Sequence, residues 1–413
     1  MRERADAVVI GAGIMGLSVA YHLAERGMTR VTVVDQSYLC GGASGRNGGG
    51  VRAQWSNEAN VRLMLDSIRM CREFAAKMKI NVWFRQGGYL FLGREREVCE
   101  RLEKSVALQN ECGLSTRMLT ARQANAIVPE LDVTGVEAAS YNPDDGVVFP
   151  WPFVWGYAQA ARKLGVEVVT WHEVVGIEKS GRRIEGVRVR PCGPPGMGAP
   201  AAASDGTPAG TVLVRTHKVI NAAGAWSPSI AKMLDVALPN KPHRHEICST
   251  EPLKPWLTPL VADLSDGLYF SQSTRGEIVG GIGNEYVPGG LDQGSSHAFL
   301  GKYARALVRS CPVLAGVKVL RQWAGCYDLT PDANPIVGAV DAVDEFYQAS
   351  GFVGHGFMMA PVVGRLLAAL IVEGSTTPEL ERWNLRRFTR ASAGASTEAS
   401  HDGHLPSEGM IIG

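Results

Sequence analysis

The stretch that most constrains this chain is its first forty residues. An apolar run, Ala7-Val8-Val9-Ile10, breaks into Gly11-x-Gly13-x-x-Gly16. A helical pattern follows over residues 14–26, and a second apolar run, Val31-Thr32-Val33-Val34, ends on Asp35. Short runs of this kind read as strands buried on both faces. Each glycine then has a physical reason to be there. Gly11 permits a tight turn, Gly13 lets backbone approach a pyrophosphate, and Gly16 lets the helix pack close on the strand. The helix start turns free N–H groups and partial positive charge toward the phosphates. Asp35 can accept hydrogen bonds from ribose hydroxyls, and an acid at that place argues against a cofactor with a 2′-phosphate. Strand, glycines, helix, strand and acid in this order predict a dinucleotide-binding βαβ unit. Taken alone, the unit suits NAD as well as FAD.

The chain is 413 residues long, which predicts two intertwined domains rather than one small one. A content of 45% hydrophobic and 20% charged residues is that of an ordinary soluble globular protein, and a net charge of +1 gives no footprint for nucleic acid. No apolar run reaches the length of a membrane span. Met1-Arg2-Glu3-Arg4-Ala5-Asp6 leads straight into the first strand with no signal-peptide apolar region, so a cytoplasmic location is expected. The cysteines form no Cys-x-x-Cys pair, which predicts reduced packing thiols and no metal site.

After Asp35 comes a glycine-rich loop, Cys40-Gly41-Gly42-Ala43-Ser44-Gly45-Arg46-Asn47-Gly48-Gly49-Gly50-Val51-Arg52. Beside a dinucleotide site such a loop can run along the pyrophosphate and the redox ring. Arg46 and Arg52 are its fixed cations, suited to phosphate or a substrate carboxylate. Hydrophobic periodicity predicts helices over 56–79 (capped by Ser56 or Asn57), 95–112, 120–126, 153–164, 296–310 and 356–372. Strands are expected over 83–92 as a hairpin strand, and over 138–141, 167–170, 173–177, 186–190, 211–215 and 317–323. Asn142-Pro143-Asp144-Asp145-Gly146 reads as a turn. Residues 191–210 and the tail 389–413 are Pro-, Gly-, Ala- and Ser-rich and are expected to be disordered. Lys218-Val219-Ile220-Asn221-Ala222-Ala223-Gly224-Ala225-Trp226 reads as a strand returning to the first sheet, ending in small residues that let backbone approach the cofactor again. Residues 240–285 are strand-rich. Two late motifs complete the set: Trp323-Ala324-Gly325-Cys326-Tyr327-Asp328-Leu329-Thr330-Pro331-Asp332, and Gly351-Phe352-Val353-Gly354-His355-Gly356-Phe357-Met358-Met359-Ala360-Pro361.

Together these motifs resemble the glycine oxidase, sarcosine oxidase and D-amino-acid oxidase family of flavoproteins over roughly residues 5–388. The similarity is greatest to the β subunits of heteromeric enzymes, chiefly dye-linked L-proline dehydrogenase and, further off, heterotetrameric sarcosine oxidase. Ser56-Asn57-Glu58-Ala59-Asn60-Val61-Arg62, Gly87-Gly88-Tyr89-Leu90-Phe91-Leu92, Trp323-Ala324-Gly325 and the residues from His355 to Pro361 carry that closer match. The resemblance implies an α/β (mixed α+β) fold in which a Rossmann-type FAD-binding domain (5–80, 140–235, 335–388) interleaves with an antiparallel-sheet substrate domain (81–139, 236–334). It implies FAD contacts at Gly11, Ala12, Gly13, Ile14, Met15, Gly16, Asp35 and Gln36, at Ser44, Gly45, Arg46, Asn47 and Gly48, and at Val174. Further contacts are implied at Ala222, Ala223, Gly224, Trp226 and Gly325, and at Gly354, His355, Gly356, Phe357 and Met358, a turn covering the pyrimidine edge of the flavin.

Departures from the family pattern sharpen the expectation. Monomeric sarcosine oxidases attach flavin to a cysteine two residues before the tyrosine; Gly325 stands there, with Cys326 beside it, so noncovalent FAD is expected. Their carboxylate-holding lysine is replaced by Met358, which leaves Arg52 as the carboxylate candidate. No histidine lies in Val147-Val148-Phe149-Pro150-Trp151-Pro152, so covalent FMN is not expected, while FMN at a subunit interface stays open. The implied reaction is hydride loss from the Cα–H of a small amino acid or secondary amine to give an imine, with Arg52 on the carboxylate and His245 and Tyr327 facing the substrate. A second, electron-accepting subunit is the expected partner. Two alternatives are a single-chain oxidase making hydrogen peroxide from glycine or a D-amino acid, and a catalytically silent flavin electron-relay subunit.

Overall fold

The computed structural model describes residues 1–193, 210–283, 287 and 289–388. Ala7–Ile10 and Val31–Val34 are parallel neighbours with no exposed side chain on either face, as four-residue apolar runs require. They lie inside a six-stranded sheet ordered Ile336–Ala339, Phe346–Ser350, Val219–Asn221, Ala7–Ile10, Val31–Val34, Glu167–Val169. All its pairings are parallel except that of Ile336–Ala339 with Phe346–Ser350. Ala7, Val9, Val31 and Val33 share a core with helices Ile14–Glu25, Pro150–Lys163 and Gly356–Glu373. Val8, Ile10 and Val34 point the other way, onto a three-stranded antiparallel layer of His172–Ser180, Arg183–Pro191 and Val212–Arg215. The alternation of a strand thus builds two cores from one run of valines.

The second layer is an eight-stranded sheet ordered Val319–Leu329, Lys241–Pro252, Glu277–Ile282, Leu268–Gln272, Leu260–Asp263, Tyr89–Gly93, Ala138–Asn142, Arg117–Leu119. It is antiparallel except where Tyr89–Gly93 meets Leu260–Asp263. Leu90 and Leu92 turn to one face, packing with Phe299, Tyr303 and Leu307 of helix His297–Ser310. Tyr89 and Phe91 turn to the other face, with Ile247, Leu260, Ala262 and Tyr269.

Several elements differ from the sequence expectation. The hairpin strand expected over 83–92 shrinks to Tyr89–Gly93, because Trp83 and Gly88 have positive φ (48° and 83°) and break the extended run. Its partners are far in sequence, so no hairpin forms. The strand expected over 317–323 runs on as Val319–Leu329 and carries Gly325-Cys326-Tyr327 within it. Helix Pro150–Lys163 starts before residue 153, since proline is well suited to a first helical turn. Ile336–Ala339 and Phe346–Ser350 were not foreseen. The boundary expected at residue 140 falls inside Ala138–Asn142, which pairs with Tyr89–Gly93 in the large sheet. Asn57, not Ser56, caps helix Glu58–Met78, accepting from the Asn60 N–H at 2.9 Å. Gly356–Glu373 has the length and composition to cross a bilayer, yet most of it is buried in the first core and its Arg365 pairs with Asp66 at 2.6 Å. Residues 194–209 of the expected disordered insertion and the tail 389–413 lie outside the described residues.

Candidate functional site

The first turn is built by steric necessity. Gly11 has φ +109°, and a Cβ there would sit 2.4 Å from the Ala222 carbonyl oxygen, so the ends of two neighbouring strands meet at this residue. A Cβ on Gly16 would lie 2.0 Å from the Gly11 carbonyl oxygen; that contact is what lets helix Ile14–Glu25 seat on its strand. At Gly13 the nearest atom is Ser44 Oγ, 3.0 Å from an added Cβ, and this hydroxyl accepts from the Ile14 N–H at 2.9 Å. Asp35 accepts from the Ala12 N–H through Oδ2 and from the Ser37 N–H through Oδ1, both at 2.7 Å. Burial pushes its carboxyl above the usual range, and these two N–H groups oppose the rise. One lone pair on each oxygen stays available to a ribose.

From this turn a cavity of about 750 Å³ runs between the layers to the eight-stranded sheet. Of the expected cofactor contacts, Gly11, Gly13, Ile14, Met15, Asp35, Gln36, Ser44, Arg46, Asn47, Gly48, Val174, Ala222, Ala223, Gly224, Trp226, Gly325, Gly354, Gly356 and Phe357 line it. Ala12, Gly16, Gly45, His355 and Met358 do not. Ala12 acts through its bond to Asp35 and Gly16 through its contact with Gly11. Gly45 packs on the Cys40 carbonyl, 2.3 Å from an added Cβ. Met358 lies in the helical core, where its carbonyl accepts from Ser67 Oγ. Arg46 is spent largely on backbone, donating to the Gly41 carbonyl at 3.0 Å and the Ala324 carbonyl at 3.1 Å; it staples the glycine loop to strand Val319–Leu329.

At the far end the wall is aromatic. His245 stacks between Tyr327 (4.7 Å between centroids, 12° between planes) and Tyr269 (5.7 Å, 15°), and its Nε2 shares a 2.9 Å hydrogen bond with the Tyr269 hydroxyl. Burial, aided by nearby His243, pushes the imidazole down to about 4, so it is neutral at pH 7. Tyr327 carries the turn that follows: a Cβ on Gly354 would lie 2.7 Å from the Tyr327 ring, so only glycine lets the turn lie flat on it. Asp328 fixes that turn, accepting from the Gly351 N–H at 2.5 Å and the Phe352 N–H at 3.1 Å; burial pushes its carboxyl up to about 6 against those bonds.

Arg52 does not line the cavity. It is buried behind the turn, donating to the Gln54 carbonyl and lying 3.1 Å from His355 Nε2, with its guanidinium 4.4 Å from the centre of the Trp55 ring. Asp145 orders this segment by accepting from the Ala53 N–H (2.7 Å), Gln54 Nε2 (3.0 Å) and Asn142 Nδ2 (2.9 Å); burial pushes it up to about 7. Sequence reasoning missed Asp145 and Asp328. In the sequence Asp145 is only one polar residue of a turn, and the partners of Asp328 come 23 and 24 positions later. Trp171, His172, Glu173, Cys192, Tyr269 and Gln293 also line the cavity and were not foreseen; Cys326, weighed in the sequence only as a neighbour of the covalent-attachment position, does so too. No cluster of metal-ligating side chains occurs among the described residues.

Comparison with known proteins places this arrangement. The profile of the family described as FAD dependent oxidoreductase (DAO) matches residues 6–370. Sarcosine oxidase subunit beta of Rhodobacter capsulatus is 28% identical over 393 residues, covering 94% of this chain and 89% of that protein. FAD-dependent oxidoreductase domain-containing protein 1 of Bos taurus is 32% identical over 422 residues, covering 90% of this chain and 82% of its own length. Among solved structures, L-proline dehydrogenase from P. horikoshii superimposes with a TM-score of 0.85 at 34% identity, covering 95% of this chain and 99% of that one.

Proposed function

Because the chain belongs to the FAD-dependent oxidoreductase (DAO) family, we propose that it oxidises the Cα–N bond of a small amino acid or secondary amine, of the proline or sarcosine type, to the imine. In this reading it works as the β-type subunit of a heteromeric complex whose other subunit accepts the electrons. The residues present fit FAD: a glycine turn that no side chain could enter, a helix start facing the cavity, and a carboxylate with free lone pairs at the ribose position. When bound, FAD supplies the two-electron acceptor.

The chain's own part is binding and orientation. The observation that carries the reading is the wall at the far end of the cavity. Among the described residues lining the cavity, the carboxylates are Asp35, Glu173 and Asp328. Asp35 and Asp328 accept backbone N–H groups, and Glu173 pairs with Arg190. His245 is neutral and held flat between two phenols. Such a wall offers no strong base. It suits an amine that reacts in its neutral form and needs positioning in a dry site rather than proton abstraction from carbon. Arg52, a buried cation behind the turn rather than in the cavity lining, is the group this reading assigns to the substrate carboxylate.

Cys326 is buried, and its thiol points to the carbonyls of Gly290 and Asp292 (3.8 and 3.6 Å). That orientation supports noncovalent FAD. A noncovalent FMN at the subunit interface belongs to the same proposal. The test is an anaerobic screen in which flavin bleaching is followed with proline, sarcosine, hydroxyproline, glycine and D-amino acids, with and without a co-produced partner. Bleaching by proline or sarcosine with little peroxide in air supports the reading. Stoichiometric peroxide from the single chain points to an oxidase, and bound FAD that no amine bleaches overturns the proposal.

A further inference from the structure

A second concavity, of about 470 Å³, lies on the helical layer and shares no lining residue with the cofactor cavity. Helices Ile14–Glu25 and Gly356–Glu373, whose first residues line that cavity, meet helix Glu58–Met78 here with their later turns. Arg26 at the end of the first helix, Arg69 and Lys77 on Glu58–Met78, and Arg365 on Gly356–Glu373 supply four cations. The carboxylates around them are already shared. Asp66 accepts from Arg69 through Oδ1 (2.7 Å) and from Arg365 through Oδ2 (2.6 Å), so one charge serves two guanidiniums. Each guanidinium spends a single nitrogen on it. Glu25 accepts from the Tyr21 hydroxyl (2.6 Å), His22 Nδ1 (2.7 Å) and Lys77 Nζ (3.0 Å). Arg26 pairs with Glu373 at 2.9 Å, and Glu73, which also lines the concavity, is exposed.

Basic side chains near the ends of helices are ordinary, since they complement the carbonyl end of the helix dipole. The buried imidazole among them is not. His22 lines the same concavity with only 2% of its surface exposed, and its Nε2 has no hydrogen-bond partner among the described residues. Burial lowers its pKa against the pull of Glu25, so the ring is neutral at pH 7. Burial would raise Glu25, yet its bonds from His22, Tyr21 and Lys77 hold it down at about 2. The carboxylate is therefore ionised, Nδ1 carries the ring proton, and Nε2 is a bare lone pair. A buried acceptor left unpaired is costly. An occupant that suits this floor must offer a hydrogen to His22 and oxygens to guanidiniums, whose remaining N–H groups fit oxyanions. We propose that the concavity binds inorganic phosphate as the monohydrogen dianion, its P–OH donating to His22 Nε2 and its oxygens accepting from Arg69 and Arg365. This site is separate from cofactor and substrate, and it stands whether or not the amine-oxidation reading holds.

Equal charge with unequal hydrogens makes the test. At about pH 8 phosphate, sulfate and methyl phosphate are all dianions, and only the first keeps a hydrogen on oxygen. The FAD-loaded full chain, purified without phosphate and with its pyrophosphate turn filled by the cofactor, is titrated calorimetrically with each anion at constant ionic strength. Wild type should bind phosphate saturably and about tenfold more tightly than the other two, the difference made by one hydrogen bond to a buried acceptor. His22→Phe should bring phosphate down to the level of sulfate and methyl phosphate. Arg69 is 60% exposed, so Arg69→Gln should keep the fold and the FAD content. It should weaken all three anions by about tenfold, through loss of a charged donor. Phosphate should also raise the melting temperature of wild type more than that of either variant. No saturable phosphate binding by wild type, or equal affinity for the three anions, would overturn the proposal. So would a phosphate preference that survives in His22→Phe, or Arg69→Gln binding as wild type does. Should His22→Phe fail to fold, the three-anion comparison in wild type and the Arg69→Gln titration still decide the matter.

Discussion

Gly16→Ala sets two effects of opposite sign against each other. On helix propensity alone the substitution should stabilise, since glycine inside a helix costs about 1 kcal/mol relative to alanine. The packing says otherwise. An added Cβ would stand 2.0 Å from the Gly11 carbonyl oxygen, 3.1 Å from the Gly11 carbonyl carbon and 3.2 Å from Val9 Cγ1. The closest of these is backbone, fixed by parallel ladder pairing of Ala7–Ile10 on both sides, so no side chain can swing away. Helix Ile14–Glu25 must lift from the sheet by over an ångström, roughly the shortfall from van der Waals contact, and overpacking of this kind costs about 1–3 kcal/mol. The net expectation is destabilisation of the apo chain together with loss of FAD, because the lifted helix no longer aims its N–H groups. Gly13→Ala is the control. There the nearest atom is a serine hydroxyl at 3.0 Å, which can rotate, so apo stability should hold while FAD affinity falls. Flavin absorbance per chain and thermal melts of flavin-stripped protein separate the two. An apo Gly16→Ala chain as stable as wild type would refute the reasoning.

Acid titration should reveal His245. Its imidazole stays neutral in the fold down to about pH 4 but charges near 6.5 when unfolded, so the unfolded chain binds more protons in that window. Stability should therefore fall by about 3 kcal/mol as pH drops from 6.5 to 4, and His245→Gln should lose that slope in denaturant melts. Asp145 and Asp328, raised to about 7 and 6, lean the opposite way in both proteins, so the comparison isolates the histidine. Asp328→Asn should loosen the 351–355 turn by weakening two charge-assisted bonds of about 1.5–3 kcal/mol each. Faster proteolysis there and reduced FAD retention are the readouts; wild-type retention would count against the role given to Asp328. Acid precipitation of the native holo-chain should leave a colourless pellet, and a yellow one would mean that a covalent link, with Cys326 the first residue to examine, has formed.

The cofactor end of this site was legible in the sequence because its parts are local. Gly11, Gly13, Gly16 and Asp35 fall within one βαβ unit, and what each does follows from turn geometry and strand register. Helices with a clear polar and apolar face were placed to within a few residues. What the sequence hid was pairing at long range. Nothing in Gly87-Gly88-Tyr89 announces that its strand pairs with residues 260–263 and 138–142 rather than folding back as a hairpin. Pro331 similarly draws attention to a turn, whereas the residue with structural consequence is Asp328, whose bonds reach across to Gly351 and Phe352.

The same distinction explains why the two ends of the cavity answer mutation differently. At the cofactor end, function is written in missing side chains, so adding a single methyl is the informative change. Behind the other end lie buried polar groups supplied by separate elements, outside the cavity lining: Arg52 after the glycine loop and Asp145 at the turn after strand Ala138–Asn142. Burial raises Asp145 while the Arg52 charge acts to lower it, so the carboxyl titrates near neutrality beneath the very segment that carries the guanidinium. Protonating Asp145 weakens what it accepts from Ala53 and Gln54 and removes a counter-charge near Arg52. On the proposed assignment of Arg52 to the substrate carboxylate, an incoming carboxylate then becomes the stronger partner for that cation. Carboxylate binding should accordingly tighten as pH falls through about 7, and Asp145→Asn should remove the dependence while keeping the tight limit. A pyrrole-2-carboxylate titration from about one pH unit below to one above that value in both proteins measures this directly, and equal slopes would sink the coupling.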